Sequence, residues 1–288
     1  MAKLVFDAPV LVFGGPYSNL RATEAMRAEA QRRGISASHV ICTGDVVAYC
    51  AEPEETTQVV RGWGCHVIAG NCEEQLAAGA QDCGCGFEEG TACDLAAKGW
   101  YPFANQRISA DSRAWMQGLP STLDLRIGGV SARVIHGGTS VVNKFVFASQ
   151  SALLKTEMAD EACDLIIAGH CGIPFTASVG RKTWFNAGVI GMPANDGTAD
   201  VWYGLIEPVD GGVKLSTHRL SYEHRAAAAA MRRWAYADGY ATSLITGIWP
   251  SFDVLPTTET AATGKKLRSR AAFVAAKDAA AAALKSAS

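Results

Sequence analysis

Short unbroken Val/Ile/Leu runs alternate with helix-period stretches over the first 71 residues. Residues 8–13 form one apolar run, 40–44 a second and 67–70 a third, each of the kind a strand buried on both faces needs. Between the first two, residues 19–33 place Leu20, Met26 and Ala30 on one side. Asn19 or Ser18 is the predicted cap, and Gly34 the stop. Residues 53–63 read as a second helix. The order β-α-β-α-β predicts an α/β fold with a partly parallel sheet. Residues 72–120 break this rhythm. They carry Cys83-Gly84-Cys85-Gly86 and two predicted helices, 91–99 and 110–117, and read as a long insertion beside the strand ends. From 122 onward strands dominate. Thr122–Ile127 and Ala132–Ile135 flank Gly128-Gly129, a hairpin signal. A helix at 150–159 leads into the run 165–169, and short strands follow at 175–179, 182–186, 199–206 and 212–219. A helix is predicted at 222–234. The expected fold is therefore α/β, with two packed mixed sheets flanked by helices. The expected body is residues 1–256, with the insertion at about 72–120. The Ala-rich segment 257–288 is expected as a helix or tail, helical over 270–285 because alanine favours helices.

Composition narrows the function classes. The 288 residues are 49% hydrophobic with a mean hydropathy of +0.07, which fits a globular protein with a large core. A formal net charge of -2 argues against a broad basic surface for a nucleic-acid polymer and favours a small substrate. No apolar run nears the ~20 residues a membrane-spanning helix needs, so no membrane partner is expected and a cytoplasmic location is the default. Nine cysteines, an odd number in a chain this long, argue against a disulfide framework. Cys42, Cys65 and Cys163 sit in or beside apolar runs as small core residues. Cys50, Cys72, Cys83, Cys85, Cys93 and Cys171 fall in turn-like or polar stretches.

Four of the apolar runs end in a single residue of metal-ligand type: Asp45, Asn71, His136 and His170. In open α/β sheets ligands gather at the carboxyl ends of strands. One carboxylate, one amide oxygen and two imidazoles converging there suit a first-row divalent metal. His39, His66, His218 and His224 lack this context and read as structural or surface residues.

The ordered series Gly44-Asp45, Gly70-Asn71-Cys72-Glu73, His136-Gly137 and Gly169-His170 resembles the calcineurin-like metallophosphoesterases, in particular their small prokaryotic phosphodiesterase branch. Gly44–Tyr49 followed by Pro53-Glu54-Glu55 is similar to that branch's second motif and following helix. Asn186-Ala187-Gly188-Val189-Ile190-Gly191 looks like its late glycine-rich loop. The resemblance spans roughly residues 8–220 and implies a four-layer αββα fold. It also implies two metals clamping an in-line attack on phosphorus. Asp45, Asn71, His136 and His170 match the ligands of the family's second metal. The first-metal ligands are absent. Gly15-Pro16-Tyr17-Ser18-Asn19 stands where the family has Asp-x-His and a nearby Asn, and Gly169-His170-Cys171-Gly172 lacks the second histidine of the last motif.

The resemblance implies a hydrolase acting on a small phosphate mono- or diester, with at least one divalent or trivalent ion of iron, zinc or manganese. Asn71 is expected to orient the phosphate. Cys72 stands where the family carries its leaving-group acid, and Tyr17 is an alternative donor to the ester. Asn19 and Asn186 are candidate substrate-binding residues. Cys171, Cys83, Cys85 and Cys50 are candidate extra ligands, because thiolates bind soft or oxidisable metals. Two rival readings stand beside this one. The first is a pseudoenzyme that keeps the fold and binds a phosphate compound or a partner without turnover. The second is a cysteine-modified iron or zinc site with a redox or sensing role. The sequence leaves the oligomeric state open.

Overall fold

The computed structural model describes residues 4–234 and 238–277. Two six-stranded mixed sheets pack face to face. In chain order the strands are β1 (Leu4–Phe6), β2 (Val10–Phe13), β3 (Val40–Cys42), β4 (His66–Val67), β5 (Leu123–Ile127), β6 (Val130–Val134), β7 (Leu165–Ala168), β8 (Phe175–Val179), β9 (Lys182–Asn186), β10 (Val201–Val209), β11 (Gly212–Leu220) and β12 (Ala271–Ala275). One sheet runs β1-β5-β6-β7-β9-β8, the other β12-β11-β10-β2-β3-β4. The helices are α1 (Leu20–Arg32), α2 (Pro53–Trp63), α3 (Asn71–Ala78), α4 (Ala92–Asn105), α5 (Ala110–Gln117), α6 (Ser151–Ala159), α7 (His224–Met231), α8 (Asp238–Thr246) and α9 (Thr257–Ala261).

The unbroken apolar runs have a simple explanation: alternate side chains serve different layers. Val10 and Val12 of β2 enter the core between the sheets, while Leu11 and Phe13 face helices on the other side. Leu165 and Ile167 of β7 repeat the pattern inward, with Ile166 and Ala168 turned outward beneath α6. Helices α1, α2, α7 and α8 cover one outer face and α6 the other, giving helix, sheet, sheet, helix. The Gly128-Gly129 turn joins β5 to β6 as expected, both residues left-handed at φ 52° and 80°. Asn19 is the cap of α1, its Oδ1 accepting the Ala22 N–H at 3.1 Å.

Several elements depart from expectation. A strand precedes residue 8: β1 pairs with β5, so the chain crosses from one sheet to the other between Phe6 and Val10. The segment 72–120 holds three helices, not two, since α3 starts at Asn71 itself. Helix α4 runs past the expected 99 to Asn105, through Pro102. The helix expected over 270–285 is corrected: Ala271–Ala275 is a strand paired antiparallel with β11. Edge pairing there overrides alanine's helical preference. The rest of that segment, 278–288, lies outside the described residues. Among the described residues, no helix is long and apolar enough to cross a membrane.

Candidate metal centre

Two glycine turns help bring the strand-end residues together. Gly44, at φ 93°, lets β3 turn sharply into Asp45. A Cβ on Gly44 would lie 2.5 Å from the Gly70 nitrogen and 3.0 Å from His136 Nδ1. A Cβ on Gly70 would sit 2.5 Å from Asp45 Oδ1. The backbone loops therefore touch, and only glycine fits between them. Asp45 and His170 themselves adopt left-handed φ values of 56° and 60°. Non-glycine residues pay for that geometry, and such strain clusters at functional sites.

The four side chains converge. His136 Nε2 lies 3.1 Å from Asp45 Oδ2, 3.2 Å from Asn71 Oδ1 and 3.0 Å from His170 Nδ1. His170 Nδ1 is 3.6 Å from Asp45 Oδ2. All four residues are buried. The one ligand atom that each of Asp45, His136 and His170 offers lies within 4.8 Å of the other two.

Their hydrogen bonds fix which atoms face inward. His136 Nδ1 is 2.6 Å from the Thr43 carbonyl. A carbonyl only accepts, so Nδ1 carries the proton and Nε2 turns its lone pair into the cluster. Asn71 Nδ2 donates to the Cys83 carbonyl at 2.9 Å, which aims Oδ1 the same way. A carboxylate oxygen, an amide oxygen and two ring nitrogens thus crowd one point, and a single proton on His170 satisfies at most one partner. This donor set fits a first-row metal. The charges agree. Burial alone would raise the Asp45 carboxyl, but His136 and His170 outweigh it and hold it below the usual range. Burial alone would lower His136, but Asp45 outweighs it and raises the imidazole. Burial keeps His170 below its ordinary value.

Glu73, three residues after Gly70, is fully buried and organises the loops. Its Oε2 accepts the N–H groups of Asp45 at 2.7 Å and Gly70 at 2.9 Å, and Oε1 accepts Val46 at 2.8 Å. Burial and then the Asp45 charge push its carboxyl up to about 7, against the pull of those N–H donors. Sequence reasoning passed over Glu73. The signal was a Gly-Asn-x-Glu spacing in which the third helical residue reaches back to the cap N–H.

The other predicted residues fall in different places. Asn19 Nδ2 donates to the Gly191 carbonyl at 3.0 Å and to Tyr222 at 3.2 Å, while its oxygen caps α1. Asn186 Nδ2 donates to the Gly169 carbonyl at 2.7 Å and to Cys171 Sγ at 3.1 Å, and Oδ1 accepts Gly188 N–H. Both amides are therefore spent on the protein, where they hold the loops. Cys72 N–H donates to Asp45 Oδ1 at 3.3 Å, and its thiol is buried with its proton held by burial and the Asp45 charge. Cys171 lies next to His170 but its Sγ donates to the Ile173 carbonyl, and burial pushes it up to about 12. Cys50 Sγ faces the Gly191 carbonyl, well buried. Cys83 and Cys85 are joined in a disulfide, with Cys85 Sγ 3.5 Å from Asn71 Nδ2. Among the described residues, the cluster of potential ligands contains none of these cysteines.

Tyr17 packs edge-on against Tyr49, ring centroids 4.8 Å apart, and its ring covers Gly15. Burial and then Asp45 raise the phenol, which favours its protonated form. With His170 it lines a cavity of about 100 Å³.

Comparisons with known proteins bear on this geometry. A family model described as the calcineurin-like phosphoesterase superfamily domain matches residues 18–207. The chain is 23% identical over 232 residues to the uncharacterized protein MJ0912 of Methanocaldococcus jannaschii, covering 74% of this chain and 88% of that one. Its fold is similar to a metallophosphoesterase from Sphaerobacter thermophilus, with a TM-score of 0.66, 20% identity, and coverage of 84% of this chain and 100% of the other. It is also similar to the hypothetical protein PH1004 from Pyrococcus horikoshii OT3, with a TM-score of 0.68, 14% identity and coverage of 85% and 100%.

Proposed function

The chain belongs to the calcineurin-like phosphoesterase superfamily, and from that premise we propose that it is a metal-dependent phosphoesterase acting on a small phosphate mono- or diester. The observation that carries the reading is the inward crowding of Asp45, Asn71, His136 and His170, a donor set that suits a first-row metal ion. These four would hold iron, zinc or manganese. Such an ion supplies Lewis acidity toward a phosphoryl oxygen and acidifies a bound water.

The chain's own residues set the conditions for that chemistry. Glu73 fixes the backbone that carries Asp45, and Asn186 fixes the turn that carries His170. Thr43 sets the tautomer of His136. Tyr17, on the cavity wall beside His170, would donate a hydrogen bond to an ester oxygen. The Cys72 thiol does not line that cavity, so Tyr17 takes precedence over it as the donor.

Turnover tests the reading. A panel of aryl phosphate mono- and diesters is assayed with added manganese, iron or zinc, beside Asp45→Asn. Hydrolysis by the wild type, abolished in the variant, supports the enzyme. One observation favours a second reading: the position matching the family's first-metal histidine is filled by the Tyr17 ring in apolar contact with Tyr49. No turnover with any metal, alongside binding of phosphate compounds, points to a non-catalytic binding protein on the same fold.

A further inference from the structure

The cavity beside the metal centre has a composition that a general phosphatase does not need. Tyr17 and Tyr49 form one side, and Tyr240 stacks on Tyr49 with ring centroids 4.8 Å apart. Phe145 faces them and lies 4.3 Å, centroid to centroid, from the His170 imidazole. Phe87 continues from Phe145 at 6.0 Å, and Trp249 closes the wall. Among the described residues no Lys, Arg, Asp or Glu lines this space, and His170 is its link to the proposed metal.

The wall draws on segments far apart in the chain. Phe87 belongs to the 72–120 segment, and Tyr240 and Trp249 lie beyond the matched residues 18–207. Trp249 is held firmly: its Nε1 donates to the Pro193 carbonyl at 2.6 Å and its backbone N–H to Asn195 Oδ1 at 2.9 Å. Gly172 leaves room for the indole, since a Cβ there would meet Trp249 at 3.0 Å. A wall built and braced in this way is organised before any ligand arrives.

We propose that this cavity is the subsite for the organic group of the substrate, and that the group is a single uncharged aromatic ring esterified to phosphate. The proposal rests on the phosphoesterase reading and names its substrate class. A space of about 100 Å³ that opens to solvent has room for a six-membered ring. Aromatic walls favour a flat ring through edge and offset contacts. A further phosphate or carboxylate would lose its hydration with no cation on the wall to offset the loss. The ring sits against Tyr49, Tyr240 and Trp249, and the phosphorus end points toward His170 and the Tyr17 hydroxyl.

The test uses the full chain loaded with metal and two non-hydrolysable probes, phenylphosphonate and methylphosphonate, by titration calorimetry. Phenylphosphonate is expected to bind at least about tenfold tighter. The advantage is expected to fall to near onefold in Trp249→Ala and in Phe87→Ala, two partly exposed wall residues whose truncation spares the buried core. Metal content is expected to stay at the wild-type level in both. Phenol, which has no phosphorus, reads the ring subsite in metal-free protein by saturation-transfer NMR, with the signal lost in both variants. Equal affinities for the two phosphonates, or a phenyl preference untouched by both variants, overturns the subsite. Absence of metal or turnover with phenol still bound in a Trp249-dependent way removes the reaction and leaves the subsite standing.

Discussion

Replacing Glu73 by alanine probes the account at its least obvious residue. The side chain is wholly buried, and its two oxygens accept N–H groups from Asp45, Val46 and Gly70 at 2.7, 2.8 and 2.9 Å, with Val47 more distant at 3.4 Å. Truncation leaves at least three buried donors unpaired. Each costs about 1–3 kcal/mol. Water entering the space recovers part of this. A net loss of about 4 kcal/mol is the working figure, with each kcal/mol worth roughly 2 °C in Tm for a chain of this size. Glu73→Ala should therefore melt about 8 °C below the wild type by differential scanning calorimetry. It should also retain less metal, since Asp45 and Asn71 both lie on the loops that Glu73 ties together. Glu73→Gln keeps one acceptor and points an amide N–H₂ at another donor, so it should fall between the two. A Glu73→Ala protein within about 2 °C of the wild type and with undiminished metal would refute the idea that this carboxylate organises the site.

Three further outcomes follow from the same geometry. Metal retention should weaken as pH falls, because His136 must lose a proton to bind a cation. Asp45 raises that imidazole against the effect of burial, so competition begins above the ordinary histidine range; affinity that stays flat between about pH 8 and pH 5 in a titration with zinc would speak against histidine ligands. Gly44→Ala forces a Cβ to 2.5 Å from the Gly70 nitrogen at a φ of 93°, which should cost about 2–3 kcal/mol and loosen the metal, read by urea unfolding and metal content together. Glu29, held down to about 2 by Arg32, with Tyr203 and Arg33 also bonded to it, stabilises the fold fully above its unfolded value of 4.5. That contribution is lost as pH falls through 4.5 toward 2. Because Arg32 is mostly exposed, Glu29→Gln should cost only about 1 kcal/mol near pH 7, with the gap to the wild type closing in acid; a gap that grows in acid contradicts the assignment.

Much of this arrangement was legible in the chain because the strands are short, apolar and end in polar residues. Val40–Cys42 and Leu165–Ala168 announce themselves as buried strands, and Asp45 and His170 follow as the first side chains able to bind a cation. Other features depend on partners that sequence does not name. Leu4–Phe6 is three residues long and becomes a strand only by pairing with Leu123–Ile127, over a hundred residues away. Ala271–Ala275 favours a helix locally but completes a sheet edge against β11. The left-handed backbone of Asp45 and His170 is a conformation that the apolar runs before them do not announce. Asn19 and Asn186 have the chemistry of phosphate ligands, and only the fold shows their amides committed to backbone carbonyls. Glu73 was hidden by the opposite error, since an acid at the start of a helix usually serves only its own cap.

The central claim is that Asp45, Asn71, His136 and His170 hold a metal ion. The most direct test is metal content by mass spectrometry on protein purified without chelator, beside His170→Ala. The account predicts one or more equivalents of iron, zinc or manganese in the wild type and a large loss in the variant. A wild-type protein that carries no metal and takes none up on reconstitution would contradict it.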